Sequence, residues 1–289
     1  MTNESSAACC PDSAVGVSST HPVGKGKWIV VDGNNGRKSM EAYVAGADIA
    51  EAGRLIVMFT DVFGVRSGNH QICADALAQK LEHENTCVVV PDLFRKNPAL
   101  QPWFESKMGI YLGLPAMVWR LKKDYKAKNT VDKDIMQVLL PFLESKRPNL
   151  AETGISLVGF CYGGWVIPKV IEKATSMVTC AVTFHPAWNI EEQVYGGNVA
   201  DLARACGSTP VLLIPAKDDP DLVKPGSEVL SILSAARNGI PEDEISIEFP
   251  DMIHGFVSRD DPSLKNQRSE QERAMNLCVN FMKENSKKS

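Results

Sequence analysis

The stretch ISLVGFCYGGW at positions 155–165 constrains the fold more than any other part of the sequence. It opens with an apolar, partly β-branched run, which is typical of a strand buried on both faces. Glycines then flank Cys161 in the frame G-x-C-x-G. A strand that turns abruptly into a helix needs residues without a β-carbon where the backbones crowd. The pattern therefore predicts that Cys161 lies on a sharp turn before a helix that begins near Tyr162.

A cysteine in this position has the chemistry of a nucleophile. Its sulfur would project from the end of a sheet, beside the positive end of the helix dipole, and this favours the thiolate over the thiol. The alternative is that Cys161 is a small buried hydrophobic residue, as most cysteines are. The glycine frame favours the nucleophile.

The segments around this turn alternate between strand and helix patterns. Strands are predicted for RLIVMF at 54–59 and for the short apolar run that ends at Pro91. A helix is predicted between them, for the amphipathic segment 70–85. Further strands are expected at 177–186, after Pro210 and at 244–249, where Ile245, Ile247 and Phe249 alternate, with helices between them and a final helix. A strand, helix and strand in this order form a parallel pair with a crossover helix. The sequence therefore predicts a single α/β domain with a mostly parallel central sheet and helices on both faces.

The domain is expected to span 25–289. Residues 1–24 are rich in small and polar residues without periodicity and are predicted to be a disordered lead-in. An edge hairpin is predicted at 27–46, KWIVVDGNNGRKSMEAYVAG, and a helix is predicted at 133–144. Residues 97–128 carry several aromatic residues without a clean period, and two interpretations remain open: a lid-like insertion over the site, or ordinary packing on the sheet.

Composition excludes several classes of protein. Charged residues make up 23% of the 289 residues, the net charge is -4, and acids and bases are interspersed, so a nucleic-acid partner is not expected. The longest apolar runs fall far short of the roughly 20 residues of a membrane-spanning helix, so no membrane partner is expected. The eight cysteines form no C-x-x-C pair and predict no metal site. No secretory signal is visible, and a cytoplasmic location with reduced thiols is predicted.

Three of the predicted strands end in loops that together carry the groups of a nucleophilic triad. In an open parallel sheet, such loops meet at the carboxyl edge. The chain order is Cys161, then the acids of AKDDPD, then His254. Acidic runs of this kind are usually solvated turns. Counted from the end of the strand VLLIP, Asp219 before Pro220 is the preferred acid and Asp218 the second choice. His254 would take the proton of the thiol while the carboxylate orients the imidazole.

The same loops suggest further site residues. The backbone N–H groups of Tyr162 and of Val62, in the loop after the early strand, are the candidate oxyanion donors. His254 is the preferred base because it follows the last strand, although a loop histidine bonded to backbone is the alternative. His70 and His83 are expected at the surface, and His21 lies in the lead-in.

The sequence carries five distinctive motifs: GFCYGGW, DDPD, DMIHGF, TDVFGV and PDLF. They resemble those of the dienelactone hydrolases, a family of the α/β-hydrolase fold. The resemblance covers roughly residues 28–283. It implies an enzyme that opens a lactone or cleaves an ester through a cysteine acyl-enzyme, without metal or organic cofactor. The implied partner is a small-molecule substrate, and the expected assembly is a monomer or homodimer.

The resemblance also implies residue roles. Cys161 would be the nucleophile, Asp219 the acid and His254 the base. Asp61 stands where the family has a glutamate that bonds to the resting thiol. Arg95 and Arg259 lie near the places of arginines that bind an anionic substrate, and this favours an anionic ester or lactone.

Trp165, beside the nucleophile, and His185, after a strand, are further candidates for lining the substrate site. Two other functions stay open. The chain could be a binding or sensor protein whose reactive thiol is modified by electrophiles without turnover, and the aspartate at 61 in place of the family's glutamate keeps this alternative open. It could also be a thioesterase, acyltransferase or peptidase that uses the same triad.

Overall fold

The structure, a computed structural model, describes residues 24–33, 38–101 and 107–286, with the backbone alone for 107–111. All of the predicted lead-in except Gly24 therefore lies outside the described residues. The strands are β1 (Lys27–Val31), β2 (Met40–Gly46), β3 (Arg54–Phe59), β4 (Thr86–Pro91), β5 (Ile155–Phe160), β6 (Val178–Phe184) and β7 (Val211–Ile214).

Helices connect these strands. They are α1 (His70–Lys80), α2 (Lys107–Lys123), α3 (Leu140–Lys146), α4 (Leu150–Thr153), α5 (Tyr162–Ala174), α6 (Ile190–Gln193), α7 (Val199–Cys206), α8 (Glu228–Ala236), α9 (Glu242–Ile245) and α10 (Gln267–Glu284). A π-helix spans Lys128–Leu139, and 3₁₀ turns lie at Glu82–Glu84, Thr175–Met177 and Asp221–Val223.

The seven strands form one sheet in the order β1-β2-β4-β3-β5-β6-β7. β1 pairs antiparallel with β2, and β2 pairs antiparallel with β4, so the predicted edge hairpin is confirmed. All other pairs are parallel. β5, which leads into the Cys161 turn, lies between β3 and β6, and this places the turn at the middle of the carboxyl edge.

Alternation along β3 shows how the sheet is covered on both faces. Leu55, Val57 and Phe59 belong to one buried cluster, while Ile56 and Met58 belong to the other. Helices α5, α7 and α8 pack on the first cluster, and α1 and α10 pack on the second. The predicted α/β class, with a mostly parallel sheet between helices, is confirmed.

The predicted last strand is wrong. The chain forms α9 after Pro241, and three acidic residues in its first turn suit the positive end of a helix dipole. Two isolated parallel bridges, Leu213 to Ser246 and Ala216 to Phe249, join the following residues to β7 and to the loop after it. The segment still lies beside β7 and brings the loop of His254 to the carboxyl edge.

The segment predicted as a helix at 133–144 is helical but changes helix type, and the surface prediction for His70 is wrong. The segment 133–144 is the end of the π-helix followed by α3, with Pro141 in the first turn of α3, where proline is tolerated. His70 was expected at the surface but is fully buried. Within 97–128, α2 packs Met117 and Leu121 into the core. Trp103 and Phe104 lie outside the described residues, and a lid role stays a prediction.

Candidate active site

The turn predicted around Cys161 is present. β5 ends at Phe160, α5 begins at Tyr162, and Cys161 between them has φ 52° and ψ -111°. Such a conformation is unfavourable for a residue with a β-carbon and is found where function requires it. A β-carbon at Gly159 would lie 2.5 Å from the carbonyl oxygen of Gly163, and one at Gly163 would lie 2.3 Å from that of Phe59. Only glycine allows this turn to pass so close to β3.

His254 and the two candidate acids lie together at the end of β7. The imidazole Nδ1 of His254 is 2.5 Å from Oδ1 of Asp219, and both side chains are buried. The second oxygen of Asp219 accepts the backbone N–H of Ala216 at 2.7 Å. The Oδ1 atom of Asp218 instead accepts the backbone N–H of His254 at 2.6 Å. Asp219 therefore holds the ring of His254, and Asp218 holds its backbone.

The loop after β6 connects the Cys161 turn with His254. The backbone N–H of Cys161 donates to the carbonyl of Phe184 at 3.1 Å, and Ala187 returns a bond to the carbonyl of Cys161 at 3.1 Å. His185 lies between them, and its ring is 4.7 Å from the ring of His254 in an edge-on arrangement. The cysteine, histidine and acid are thus brought to one edge of the sheet by contiguous contacts.

The candidate oxyanion donors lie on either side of this turn. Gly163 donates its N–H to the carbonyl of Thr60 at 3.0 Å, so the loop that carries Val62 adjoins the start of α5. Val62 is fully buried. Tyr162 is the first residue of α5, and the N–H groups of a first helical turn point out of the helix end. Their use as an oxyanion hole stays a prediction.

Asp61, in the loop after β3, belongs to a buried polar cluster. Its Oδ2 atom accepts a hydrogen bond from Arg259 at 2.7 Å and lies 3.2 Å from Nε2 of His70, while its Oδ1 accepts the N–H of Phe63 at 2.9 Å. Ser67 lies 3.3 Å from the Arg259 guanidinium. Burial would raise the pKa of Asp61, but Arg259 and His70 outweigh it and hold that pKa well below its usual range. The carboxylate is therefore charged.

The predicted arginines are both engaged with carboxylates. Arg259 is buried against Asp61, and its guanidinium carbon lies 4.0 Å from the ring centre of Phe63. Arg95 forms a two-point contact with Asp134 on the π-helix, at 2.7 and 2.9 Å. A role for Arg95 and Arg259 in binding a substrate anion stays a prediction.

Trp165 and His185 differ in how they are held. Trp165 donates its Nε1 proton to Glu191 at 2.7 Å and stacks on Tyr195, with the ring centres 4.6 Å apart. His185 has φ 39°, and neither of its buried ring nitrogens has a hydrogen-bond partner among the described residues. Burial and the nearby His254 lower the pKa of His185 well below its ordinary value. The ring of His185 is therefore neutral.

The remaining described thiols are unsuited to nucleophilic chemistry. All six cysteines in the described ranges are buried, and none of them forms a disulfide within those ranges. Burial raises the pKa of Cys73 and Cys87 to about 12 and also raises that of Cys180, Cys206 and Cys278. Cys9 and Cys10 lie outside the described residues.

The profile of the dienelactone hydrolase family matches residues 40–286, nearly the whole described chain. The chain belongs to the dienelactone hydrolase family. A carboxymethylenebutenolidase homolog from Mus musculus is 24% identical over 220 residues, which cover 76% of this chain and 77% of the mouse protein. The recognised resemblance is thereby confirmed, and membership of this family identifies the chain as a hydrolase.

Solved structures show the same fold at low sequence identity. An acylaminoacyl peptidase from Pyrococcus horikoshii matches 92% of this chain with a TM-score of 0.58 and 14% identity. The chain spans only 42% of the length of that peptidase. An α/β serine hydrolase without a lid, from Xanthomonas campestris, matches 93% of this chain and is itself covered to 98%, with a TM-score of 0.52 and 12% identity.

Two residues of this dienelactone hydrolase-family site, His70 and Ser67, were not predicted from the sequence as site residues. Both contact the Asp61 and Arg259 pair. No periodicity marks either residue, because His70 begins α1 and Ser67 lies in the loop before it. Among the described residues, no three or more His, Cys, Asp and Glu side chains are grouped to hold a metal ion, and no helix there is long and apolar enough to cross a membrane.

Proposed function

We propose that the chain hydrolyses a carboxylic ester or lactone through a cysteine acyl-enzyme. The observation that carries this is the 2.5 Å contact between His254 Nδ1 and Asp219, at the same sheet edge as the strained Cys161 turn. A base oriented by a carboxylate beside a nucleophile on a sharp turn is the arrangement that acyl transfer needs.

In the first half-reaction, His254 accepts the proton of the Cys161 thiol through Nε2, and the sulfur attacks the acyl carbon. Asp219 stabilises the resulting imidazolium. The N–H groups of Val62 and Tyr162 bind the developing oxyanion. When the tetrahedral intermediate collapses, the C–O bond of the ester breaks and the leaving oxygen takes the proton from His254. In a lactone, this alcohol remains attached to the acyl group.

In the second half-reaction, His254 removes a proton from water, and the resulting hydroxide attacks the thioester carbon. The C–S bond then breaks, the carboxylic acid is released and Cys161 recovers its proton. We assign activation of the thiol to His254 rather than to Asp61, because both oxygens of Asp61 are engaged by Arg259, His70 and the Phe63 amide.

Six buried cysteines of the described chain, none of them in a disulfide there, support a reducing, cytoplasmic location as part of the same proposal.

Substitution of the nucleophile and the base tests this function. Cys161→Ala and His254→Ala should each lower kcat for p-nitrophenyl esters by about a thousandfold or more, because each removes a group on which the others depend. Cys206→Ala, which removes a buried thiol from α7, is the matched control and should retain activity. Circular dichroism should show that all three variants are folded.

Full activity in Cys161→Ala would overturn the proposal. Stoichiometric acylation of Cys161 without sustained turnover of esters, lactones or thioesters would favour the electrophile sensor instead. Turnover confined to thioesters or to acylated peptides would assign the same triad to a thioesterase or a peptidase.

A further inference from the structure

Helix α2 presents two faces of similar apolar character, and the residues that the structure describes cover only one of them. Met117 and Leu121 are fully buried in the core, and Leu114 and Val118 pack partly against it. On the opposite face, Leu112, Pro115, Ala116 and Trp119 are all exposed. These four positions follow the spacing i, i+3, i+4 and i+7, so they form one continuous stripe.

The two large residues of this stripe are unusually exposed. Leu112 is 66% exposed and Trp119 is 58% exposed. Among the described residues, only Val30 and Ile72 are other large hydrophobic side chains at the surface. A helix that is apolar on both faces is normally buried on both, and a contiguous exposed apolar stripe marks an interaction surface.

The stripe ends in a dense group of lysines. Lys122 and Lys123 continue the same face, and Lys126 and Lys128 follow within the next turn. All four are exposed, and none forms an ion pair within the part of the chain that the structure describes. The Lys123 ammonium lies 4.5 Å from the ring centre of Trp119. Residues 112–128 hold five basic residues and one acid, whereas the whole chain has a net charge of -4.

We propose that this face of α2 docks on the surface of an anionic lipid bilayer. An interfacial helix buries Trp and Leu side chains at the level of the headgroups while its lysines contact anionic lipids. Each lysine near such a surface adds an attraction that falls off within a Debye length. Trp119 followed by Lys122 and Lys123 matches this arrangement. A membrane partner was not expected because no apolar run is long enough to span a bilayer, whereas an interfacial helix lies on the bilayer surface.

Pairing of two copies through the same face is disfavoured by charge. A symmetric dimer would place the lysines of one copy against those of the other, and like charges at an interface oppose association. An anionic surface neutralises them instead. Lipid docking is independent of the proposed hydrolase activity, since it requires neither Cys161 nor His254.

Co-sedimentation of the full chain with vesicles tests the proposal. The protein should bind phosphatidylcholine vesicles that contain about 30% phosphatidylserine, should bind pure phosphatidylcholine vesicles at least about tenfold more weakly, and should be released by about 1 M salt. Equal partition to both kinds of vesicle, or no binding to either, would overturn it.

Two double variants assign the binding to α2. Leu112→Ser with Trp119→Ser removes the apolar anchors, and Lys122→Glu with Lys123→Glu reverses two charges. Each should weaken binding to the anionic vesicles by about tenfold or more. Val30→Ser, at an equally exposed apolar residue of β1, and Lys265→Glu with Lys283→Glu, at exposed lysines elsewhere, are the matched controls.

The controls should bind as the unmodified protein does, and circular dichroism should show that every variant is folded. Unchanged binding in both α2 variants would contradict the assignment. Sedimentation velocity tests self-association. If the unmodified protein is a dimer that does not bind vesicles, and only the α2 variants dissociate it, the face is a self-association surface and lipid docking is overturned.

Discussion

Asp218 and Asp219 are adjacent in one loop, yet their carboxylates bond to different atoms of His254. Asp219 contacts the ring at Nδ1, whereas Asp218 accepts the backbone N–H. Burial raises the pKa of Asp218, which is the behaviour of a carboxyl group without a strong compensating charge. The sequence placed both residues in the right loop but could not separate them, because the choice depends on which way each side chain turns.

This difference predicts unequal effects on catalysis. Asp219→Asn should lower kcat for an activated ester by about a thousandfold or more, because the imidazole loses its orientation and its counter-charge. Asp218→Asn should lower kcat by less than about tenfold, because an asparagine oxygen can still accept the His254 backbone N–H. Steady-state kinetics of both variants supply the measurement. Equal losses would show that the two carboxylates share the role.

Asp61 should contribute stability that depends on pH. Its pKa in the folded protein lies well below the value of about 3.9 expected in the unfolded chain. The contribution is therefore fully present above about pH 4 and is lost as the pH falls through the folded pKa. Asp61→Asn leaves the buried Arg259 without its counter-charge and should cost about 3–5 kcal/mol at pH 7.

Urea denaturation followed by circular dichroism at a series of pH values checks this. The difference in unfolding free energy between the unmodified protein and Asp61→Asn should be constant from neutral pH down to about pH 5 and should shrink below about pH 4. Asp251→Asn, at an exposed carboxylate, is the control and should differ little at any pH. A difference that grows in acid would contradict the ion-pair account.

Other residues of the cluster show where sequence reasoning failed. Asp61 and Arg259 are 198 positions apart, so their contact cannot be inferred from local spacing. His70 was expected at the surface because it begins an amphipathic helix. It is buried because α1 starts beside the Asp61 loop, where the imidazole lies 3.2 Å from the carboxylate and 5.1 Å from the Phe160 ring.

At the level of elements, the turn from β5 to α5 depends on the backbone of β3. Gly163→Ala should be strongly destabilising, by several kcal/mol, because its β-carbon would overlap the Phe59 carbonyl, which is fixed in the sheet. Gly196→Ala is the matched control. It has nothing within 4 Å, so it should cost only the roughly 1–2 kcal/mol of a positive φ.

Chemical denaturation of both variants gives the comparison. Similar midpoints for Gly163→Ala and Gly196→Ala would mean that the turn can move away from β3. The requirement for glycine at this turn could be predicted from the G-x-C-x-G frame alone, because the frame reflects a local crowding of backbones.

Other elements could not be predicted in this way. The sequence alternates at Ile245, Ile247 and Phe249 as a strand would, but the helix-starting Pro241 and the acids after it dominate locally. The π-helix has no distinct periodicity that separates it from an α-helix. Its neighbour Tyr125 is fixed by tertiary contacts, since the Tyr162 hydroxyl donates to its carbonyl at 2.6 Å.

For the whole molecule, the strand and helix order predicted a mostly parallel sheet, which is confirmed, and the loops of Cys161, Asp219 and His254 lie at its carboxyl edge. The order of strands across the sheet could not be derived, because β4 lies between β2 and β3 through contacts distant in sequence. Three loops from separate strands nevertheless meet, since the carboxyl ends of parallel strands lie at one edge.

The first residues that the structure describes are attached to α1 and β2. Gly24 donates its N–H to Gln71 at 3.2 Å, and Gly26 donates to the Tyr43 hydroxyl at 2.5 Å. Removal of residues 1–22 leaves these contacts in place. The shortened protein should therefore keep its melting temperature to within about 2 °C and its kcat unchanged. Calorimetry and ester hydrolysis provide the check. A clear drop in the melting temperature or in kcat would assign a structural role to residues 1–22.

Intact-protein mass spectrometry during turnover tests the cysteine acyl-enzyme most directly. When hydrolysis of an activated ester is quenched in acid, the protein should carry one added acyl group, and peptide mapping should locate it on Cys161. The adduct should be absent in Cys161→Ala and present in Cys206→Ala. In His254→Ala it should accumulate if the acylation step stays faster than the deacylation step. Continued turnover with no acyl group on Cys161, or an adduct on another residue, would contradict the account.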